Sequence, residues 1–279
     1  MVIIGITTIL SRTAGLGQIL GANFMKPHQG TGSIGKALEI LELFSFSKES
    51  FSVSEIADEL EIPFSTAHRI CNFLTERGFL YRNIKTKRLS LGTKIYYLGK
   101  VAHNSKNIAN IALPVMQRIR DDINETVNLY FREGNSRICL EQAQSRQSLM
   151  HASPIGKKWP LWAGASGKCF LAFSDEKESL NIASKARPLT PNTILKQEEF
   201  KKEFRKIRNQ GYAISEAERE LGVSSVAAPI SEPDGTIRAC LAISGPSARY
   251  YGEHLDKIIK ATIEGAIEIT KGLAEGIQN

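Results

Sequence analysis

Five polar side chains crowd eight consecutive positions: Ser65, Thr66, His68, Arg69 and Asn72. They bring two hydroxyls, an imidazole, a guanidinium and a carboxamide, a mixture that suits recognition better than bond-breaking. Short hydroxyls reach phosphate oxygens, while Arg and Asn carry the paired donors and acceptors that read base edges in a major groove. A second chemical group lies at Trp162-Ala163-Gly164-Ala165-Ser166-Gly167, a small-residue turn ahead of a helical run, Lys168–Phe173. Open amides at a helix N-terminus attract anions. A tight turn that merely packs closely would use the same residues.

Catalytic readings fail on residue type. Gly164-Ala165-Ser166-Gly167-Lys168-Cys169 resembles the end of a phosphate-binding loop, but Trp162 stands at the first glycine and Cys169 at the magnesium-binding hydroxyl. Gly15, Gly17 and Gly21 have the wrong spacing for a dinucleotide loop and no strand–helix context. The five histidines (28, 68, 103, 151 and 254) show no paired metal spacing, and no nucleophile sits with a base. Cysteines 71, 139, 169 and 240 lie too far apart for a zinc site or a disulfide framework and read as buried thiols in a reducing compartment. The expectation is therefore no catalytic residues, no metal and no cofactor.

Elements that would hold the first group are legible. Ile34, Ala37, Leu38, Leu41 and Phe44 form the stripe of an amphipathic helix. Ser52-Val53-Ser54-Glu55 reads as a capping box opening a second helix, with Val53, Ile56, Ala57 and Leu60 inward, that stops at Glu61-Ile62-Pro63. A third helix runs from about Phe64 to Arg77, with Ala67, Ile70, Cys71 and Leu74 inward and Gly78 beyond its end. Its outward face is the polar group just described. Two helices joined by a very short turn, the second exposing small and basic groups, make a helix-turn-helix. Phe79–Arg82 and Leu89–Gly92 flank a basic tip, Asn83–Arg88, as a β-hairpin behind that helix. It would form a wing touching the nucleic-acid backbone through Arg82, Lys85, Lys87 and Arg88.

Charge agrees. Overall, 36 Lys+Arg against 29 Asp+Glu give +7 and a pI near 9.2, too modest to choose a polyanionic partner. Residues 64–106 alone hold nine basic residues (Arg69, Arg77, Arg82, Lys85, Lys87, Arg88, Lys94, Lys100 and Lys106) against one acid, Glu76. That +8 leaves the rest near neutral and marks double-stranded DNA as the partner of this end.

Beyond it, a linker helix spans Leu91 to Ala109. Ile111, Ala112, Met116, Ile119 and Ile123 mark the next helix, with Pro114 tolerable in its first turn. Thr126–Phe131 and Ser136–Glu141 read as strands around Glu133-Gly134-Asn135. Val223–Ile230 and Thr236–Ser244 flank a turn at Pro233-Asp234-Gly235. A charged helix carrying Phe200, Phe204 and Ile207 ends at Gly211, and a last helix carries Leu255 to Ile267. Strand pairs followed by helices argue α+β, an antiparallel sheet with packed helices.

Several ordered blocks resemble the IclR family of bacterial transcription regulators. They are Ser33-Ile34-Gly35-Lys36-Ala37-Leu38-Glu39-Ile40-Leu41, Ile62-Pro63-Phe64-Ser65-Thr66-Ala67-His68-Arg69, Glu76-Arg77-Gly78-Phe79-Leu80 and Leu89-Ser90-Leu91-Gly92. The likeness continues through Trp159–Lys168, Gly211-Tyr212-Ala213, Leu221–Pro229 and Ala242–Pro246, covering roughly Ser33 to Gly272. Phe64 stands where the family usually has a basic residue. The resemblance implies a winged helix-turn-helix followed by a GAF-like domain that binds a small, usually carboxylate-bearing metabolite. It places effector contacts at Ala165, Ser166, Ser215, Ser225, Ala242 and Ser244, with Leu149 and His151 in the wall. Trp162 replaces the family's usual histidine, Ser215 a frequent acid, Ser225 a frequent cysteine and Ala242 a frequent serine, so the polar lining is altered.

The resulting expectation is a cytoplasmic, ligand-responsive repressor or activator of a catabolic operon. Residues 30–92 form its DNA-binding domain, 93–106 the linker helix, and 107–279 the effector-binding and oligomerisation domain. Residues 1–29 form an extension in which Met25 is a possible start, with no basic segment before the apolar Met1–Leu10 to suggest a secretory leader. Arg69 and Asn72 would read bases, with the other named side chains on phosphates. Its partners would be a DNA operator and a small organic acid, with no membrane, and the protein a homodimer or dimer of dimers. An architectural or RNA-associated protein whose second half only dimerises stays open, as does an enzyme on a small acid fused to a DNA-binding module.

Overall fold

The computed structural model describes residues 32–45, 48–104, 108–232 and 234–275, which fall into two compact units divided between Leu98 and Gly99. The expectations for residues 1–29, including Met25 and Gly15–Gly21, lie outside the described residues.

In the first unit, helices α1 (Ser33–Glu42), α2 (Val53–Glu59) and α3 (Phe64–Glu76) precede a hairpin of β1 (Leu80–Arg82) and β2 (Leu89–Leu91). Ser52 and Glu55 form the expected capping box, each side chain accepting from the other's backbone amide. Helix α3 ends as foreseen: the Phe79 amide donates to the Leu74 carbonyl across Gly78, closing the last turn. Ile40, Ile56, Ala67, Ile70, Cys71, Leu74, Leu80 and Leu89 form the core. The stripe expected on α1 needs correction. Ile34 and Leu38 are 81% and 56% exposed, whereas Ile40 is fully buried. Apolar residues occur in two overlapping stripes on this helix, and the core takes Ala37, Ile40, Leu41 and Phe44. Leu60, expected inward, caps α2 half-buried.

Helix α4 (Thr93–Asn104) follows the hairpin, and α5 (Ile108–Ile123) opens the run of elements built around a single sheet. Pro114 falls in the second turn of α5 rather than the first. Strands β3 (Thr126–Glu133), β4 (Ser136–Ala143), β5 (Lys158–Pro160), β6 (Ala213–Glu216), β7 (Val223–Ser231) and β8 (Ile237–Pro246) form a six-stranded antiparallel sheet in the order β5-β4-β3-β8-β7-β6. The short outer strands β5 and β6 had no strand signal in the sequence. Helices α6 (Ala165–Ala172), α7 (Glu176–Ala183) and α8 (Gln197–Gln210) cover one face, while α5 and α9 (Gly252–Glu275) cover the other.

Strand alternation sorts the side chains. Tyr130, Cys139, Ala213, Ala227, Cys240 and Ala242 face the α6 side, and Val127, Leu129, Val226, Ala228, Leu241 and Ile243 the α5/α9 side. No described helix is long and apolar enough to cross a membrane.

Candidate functional site

On the first unit, α3 and the hairpin present the polar face. Ser65, His68 and Arg69 are exposed, with Thr66 and Asn72 half-buried beside them. Phe64 stacks its ring on His68, centroids 5.9 Å apart, and the His68 ring lies 3.4 Å from the Asn72 amide. Arg82 donates to the Asn72 carbonyl oxygen at 2.8 Å, so the wing and the recognition helix are joined through one of the expected base readers. Arg69 reaches Ser33 of α1 at 3.3 Å. At the tip, the Asn83 side chain accepts from the Lys85 and Thr86 amides, and Lys87 takes a left-handed backbone, projecting both lysines outward. Arg88 differs from them. It donates to the Ser50 hydroxyl, the Ser50 carbonyl and the Glu55 carboxylate, holding the wing to the capping box of α2. Its guanidinium thus braces the wing against α2.

The second unit contains a pocket at the N-terminus of α6, a cavity of about 30 Å3 that opens partly to solvent. Strand register explains its floor. Ser215 on β6 pairs with Ser225 on β7, which pairs with Ser244 on β8, so three hydroxyl-bearing residues stand in one row across the sheet. The next row holds Ala227 and Ala242. Ser244 accepts from Asn128 of β3 at 2.9 Å. Ala165 and Ser166 begin α6 and complete the rim.

Two glycines are dictated here. Gly164 caps α6 at φ 82°, a backbone that L side chains rarely adopt. A Cβ on Gly167 would lie 2.3 Å from the Leu161 carbonyl and 2.5 Å from the Arg137 guanidinium.

Of the eight expected effector residues, the pocket brings together His151, Ala165, Ser166, Ser215, Ser225, Ala242 and Ser244. Leu149 is not among its walls: its side chain is exposed and its carbonyl accepts from Arg249 at 3.1 Å. Tyr130, Arg137, Gly164, Arg219, Glu220 and Val223 also line the pocket, and sequence reasoning missed them. Arg137 could have been suspected, because it falls on an inward position of β4, in step with Cys139. Arg219 gave no such signal, since it lies in the loop between β6 and β7.

The electrostatics are uneven. Lys168 on α6 is buried and neutralised by Glu203, at 2.8 Å, and Glu218. Burial pushes the Glu218 carboxyl above the ordinary range. Arg219 stacks 4.2 Å over Trp159 and lies 2.9 Å from His151 Nε2. Burial, with the Arg219 charge second, lowers the His151 imidazole to about 4, leaving it neutral. Arg137 is 2% exposed, and burial lowers it to about 10, helped by Arg219. It donates to the Pro160 carbonyl, but its Nε has no partner and no carboxylate among the described residues pairs with it. The described residues contain no cluster able to hold a metal ion.

A winged helix-turn-helix joined in one chain to a sheet-and-helix unit with a pocket of its own defines a class of regulators that bind DNA. Residues 33–83 match the IclR helix-turn-helix domain, and residues 100–271 match the bacterial transcriptional regulator IclR C-terminal domain. The chain belongs to the IclR family of bacterial transcription regulators, DNA-binding proteins and not enzymes. It is 28% identical over 223 residues to the HTH-type transcriptional repressor AllR of Salmonella typhi, covering 79% of this chain and 82% of that one. The Thermotoga maritima IclR structure is 33% identical with a TM-score of 0.70, covering 86% of this chain and 98% of that one. An IclR homolog from Microbacterium hydrocarbonoxydans, solved with 4-hydroxybenzoate, shares the fold at TM-score 0.80 and 22% identity, covering 88% and 100%.

Proposed function

We propose that this regulator senses a small organic acid and changes its affinity for an operator of a catabolic operon when the acid occupies the α6 pocket. The observation that carries this reading is the pocket itself. The start of a helix, a row of serines and a buried arginine without an ion-pair partner among the described residues converge in the unit that does not hold the helix-turn-helix. The 4-hydroxybenzoate complex of the Microbacterium relative supports an acid ligand for the fold, and the AllR relatives support a repressor.

In this reading residues 30–92 bind DNA, 93–106 link, and 107–279 sense and oligomerise. Arg69 and Asn72 read base edges, while Ser65, Thr66, His68, Arg82, Lys85 and Lys87 fix phosphates. One recognition helix reads too few base pairs for specificity, so the protein acts as a dimer or dimer of dimers on a pseudo-palindrome. An effector shifts operator binding only through different affinities for the competent and incompetent arrangements.

A thermal-shift panel of sugar acids, keto acids and aromatic acids, followed by operator titration with each hit, tests the reading. An acid at 100 times its Kd adds about 2.7 kcal/mol of stability. A panel without a hit, or a hit that leaves operator affinity unchanged, overturns it.

A further inference from the structure

Of the two arginines lining the pocket, Arg137 alone makes no ion pair among the described residues; Glu218 acts on it only from beyond pairing distance and is itself bound to Lys168. Arg219 has Glu220 4.0 Å away and His151 against its Nη2. Lys168, beneath the rim, is held by two carboxylates. Arg137 instead offers its guanidinium to one carbonyl, to the Tyr130 ring at 5.6 Å, and to the start of α6, where its Nη2 would lie 2.9 Å from a Cβ on Gly164. A buried guanidinium against the positive end of a helix is costly unless something negative joins it. An unpartnered Nε at such a place is a group awaiting an acceptor.

The same pocket offers hydroxyls. Ser215 and Ser225 make no side-chain hydrogen bond among the described residues, and Ser166 begins α6. Glu220 lies at the exposed mouth, where its charge disfavours a second acidic group.

We propose that Arg137 is the counter-charge of the bound acid and that the serine row restricts the pocket to hydroxylated monoacids. This rests on the acid-sensing reading above and sharpens it. One acidic group bridges the α6 amides and the guanidinium. The ligand's hydroxyls exchange hydrogen bonds with Ser215 and Ser225. Simple aromatic acids lack the groups to satisfy that row.

The test is calorimetry and thermal shift on the full chain with D-glycerate and D-gluconate as hydroxylated acids, benzoate and acetate as plain acids, and glycerol as the uncharged control. The hydroxylated acids should bind, and glycerol should not. Arg137→Met should weaken a binding acid on the order of 100-fold. It should leave the unliganded melting temperature equal or higher, because an unpaired buried charge is removed. Arg137→Lys, which keeps the charge but loses the fork, should weaken it about tenfold and decides the matter should the Met variant not fold. Unchanged affinity in the Lys variant, or a binding loss in the Met variant matched by a lower melting temperature, overturns the role of Arg137. Binding of benzoate with both hydroxylated acids inert overturns the serine assignment while leaving acid sensing intact. Silence of every acid removes both.

Discussion

Arg88 Nη2 lies 2.9 Å from Glu55 Oε2, so the basic wing is fastened to the same carboxylate that caps α2. Glu55 serves two partners at once, and the wing's angle is tied to the start of the helix-turn-helix. Arg88→Ala should therefore speed amide exchange at the hairpin tip, at Lys85, Thr86 and Lys87. It should alter the salt dependence of operator binding by clearly less than one unit of slope. Unchanged exchange with a full unit of slope lost would return Arg88 to the phosphate-contacting set.

The exposed cations should behave otherwise. Lys87→Ala should weaken binding to all sequences alike and reduce the salt slope by about one, whereas Arg69→Ala should flatten discrimination between operator and scrambled DNA by about 1–3 kcal/mol. Fluorescence anisotropy across a salt series with both DNAs checks this. Identical isotherms for the two variants would remove the assignment.

His151 sets a pH dependence. Its folded value, about 4, is depressed below the ordinary 6.5, first by burial and then by Arg219. A depressed imidazole contributes stability that is complete above 6.5 and is lost as pH falls toward 4. At about 1.4 kcal/mol per unit the span is about 3 kcal/mol. Denaturant titrations of wild type and His151→Gln between pH 7 and 4 should diverge over that window, the variant falling less. Parallel curves would show that the imidazole is not held neutral.

Breaking the buried ion triad should be severe. Lys168→Met leaves Glu218 inside without its ammonium partner, at a cost of about 3–5 kcal/mol. Glu218 also accepts from the Gly164 amide, and its carbonyl takes the Thr190 and Thr193 hydroxyls. The same variant should therefore loosen the loop that carries Arg219. Chemical denaturation reads the first effect and exchange of the 217–222 amides the second.

Local rules explain what the sequence revealed. The capping box at Ser52, the stop at Gly78, the hairpin around Asn83–Arg88 and the alternation of β7 and β8 are each decided by neighbouring residues. Four of the pocket residues expected from family likeness, Ser215, Ser225, Ala242 and Ser244, fall together because they sit on one face of adjacent strands. What escaped depended on long-range contact. Ile34 and Leu38 read as core until tertiary packing chose the other stripe of α1. Arg88 looked like its lysine neighbours until Glu55, 33 residues away, was placed beside it. Arg137 could be seen as an inward arginine, but its lack of an ion pair, with Glu218 taken up by Lys168, emerged only once the surrounding elements were in position.

The serine row has its reverse side. Between Ala242 and Ser244, which line the pocket, sits Ile243, which packs under α5 and α9. Helices α5 and α9 lie on the side of the sheet away from the pocket. Pocket and helix layer are thus separated by a single peptide link in β8, read from one side as a hydroxyl and from the other as a hydrocarbon. Any shift of the β8 backbone at Ser244 is shared by Ile243 beneath the helices, so this strand is a wall that both sides hold in common.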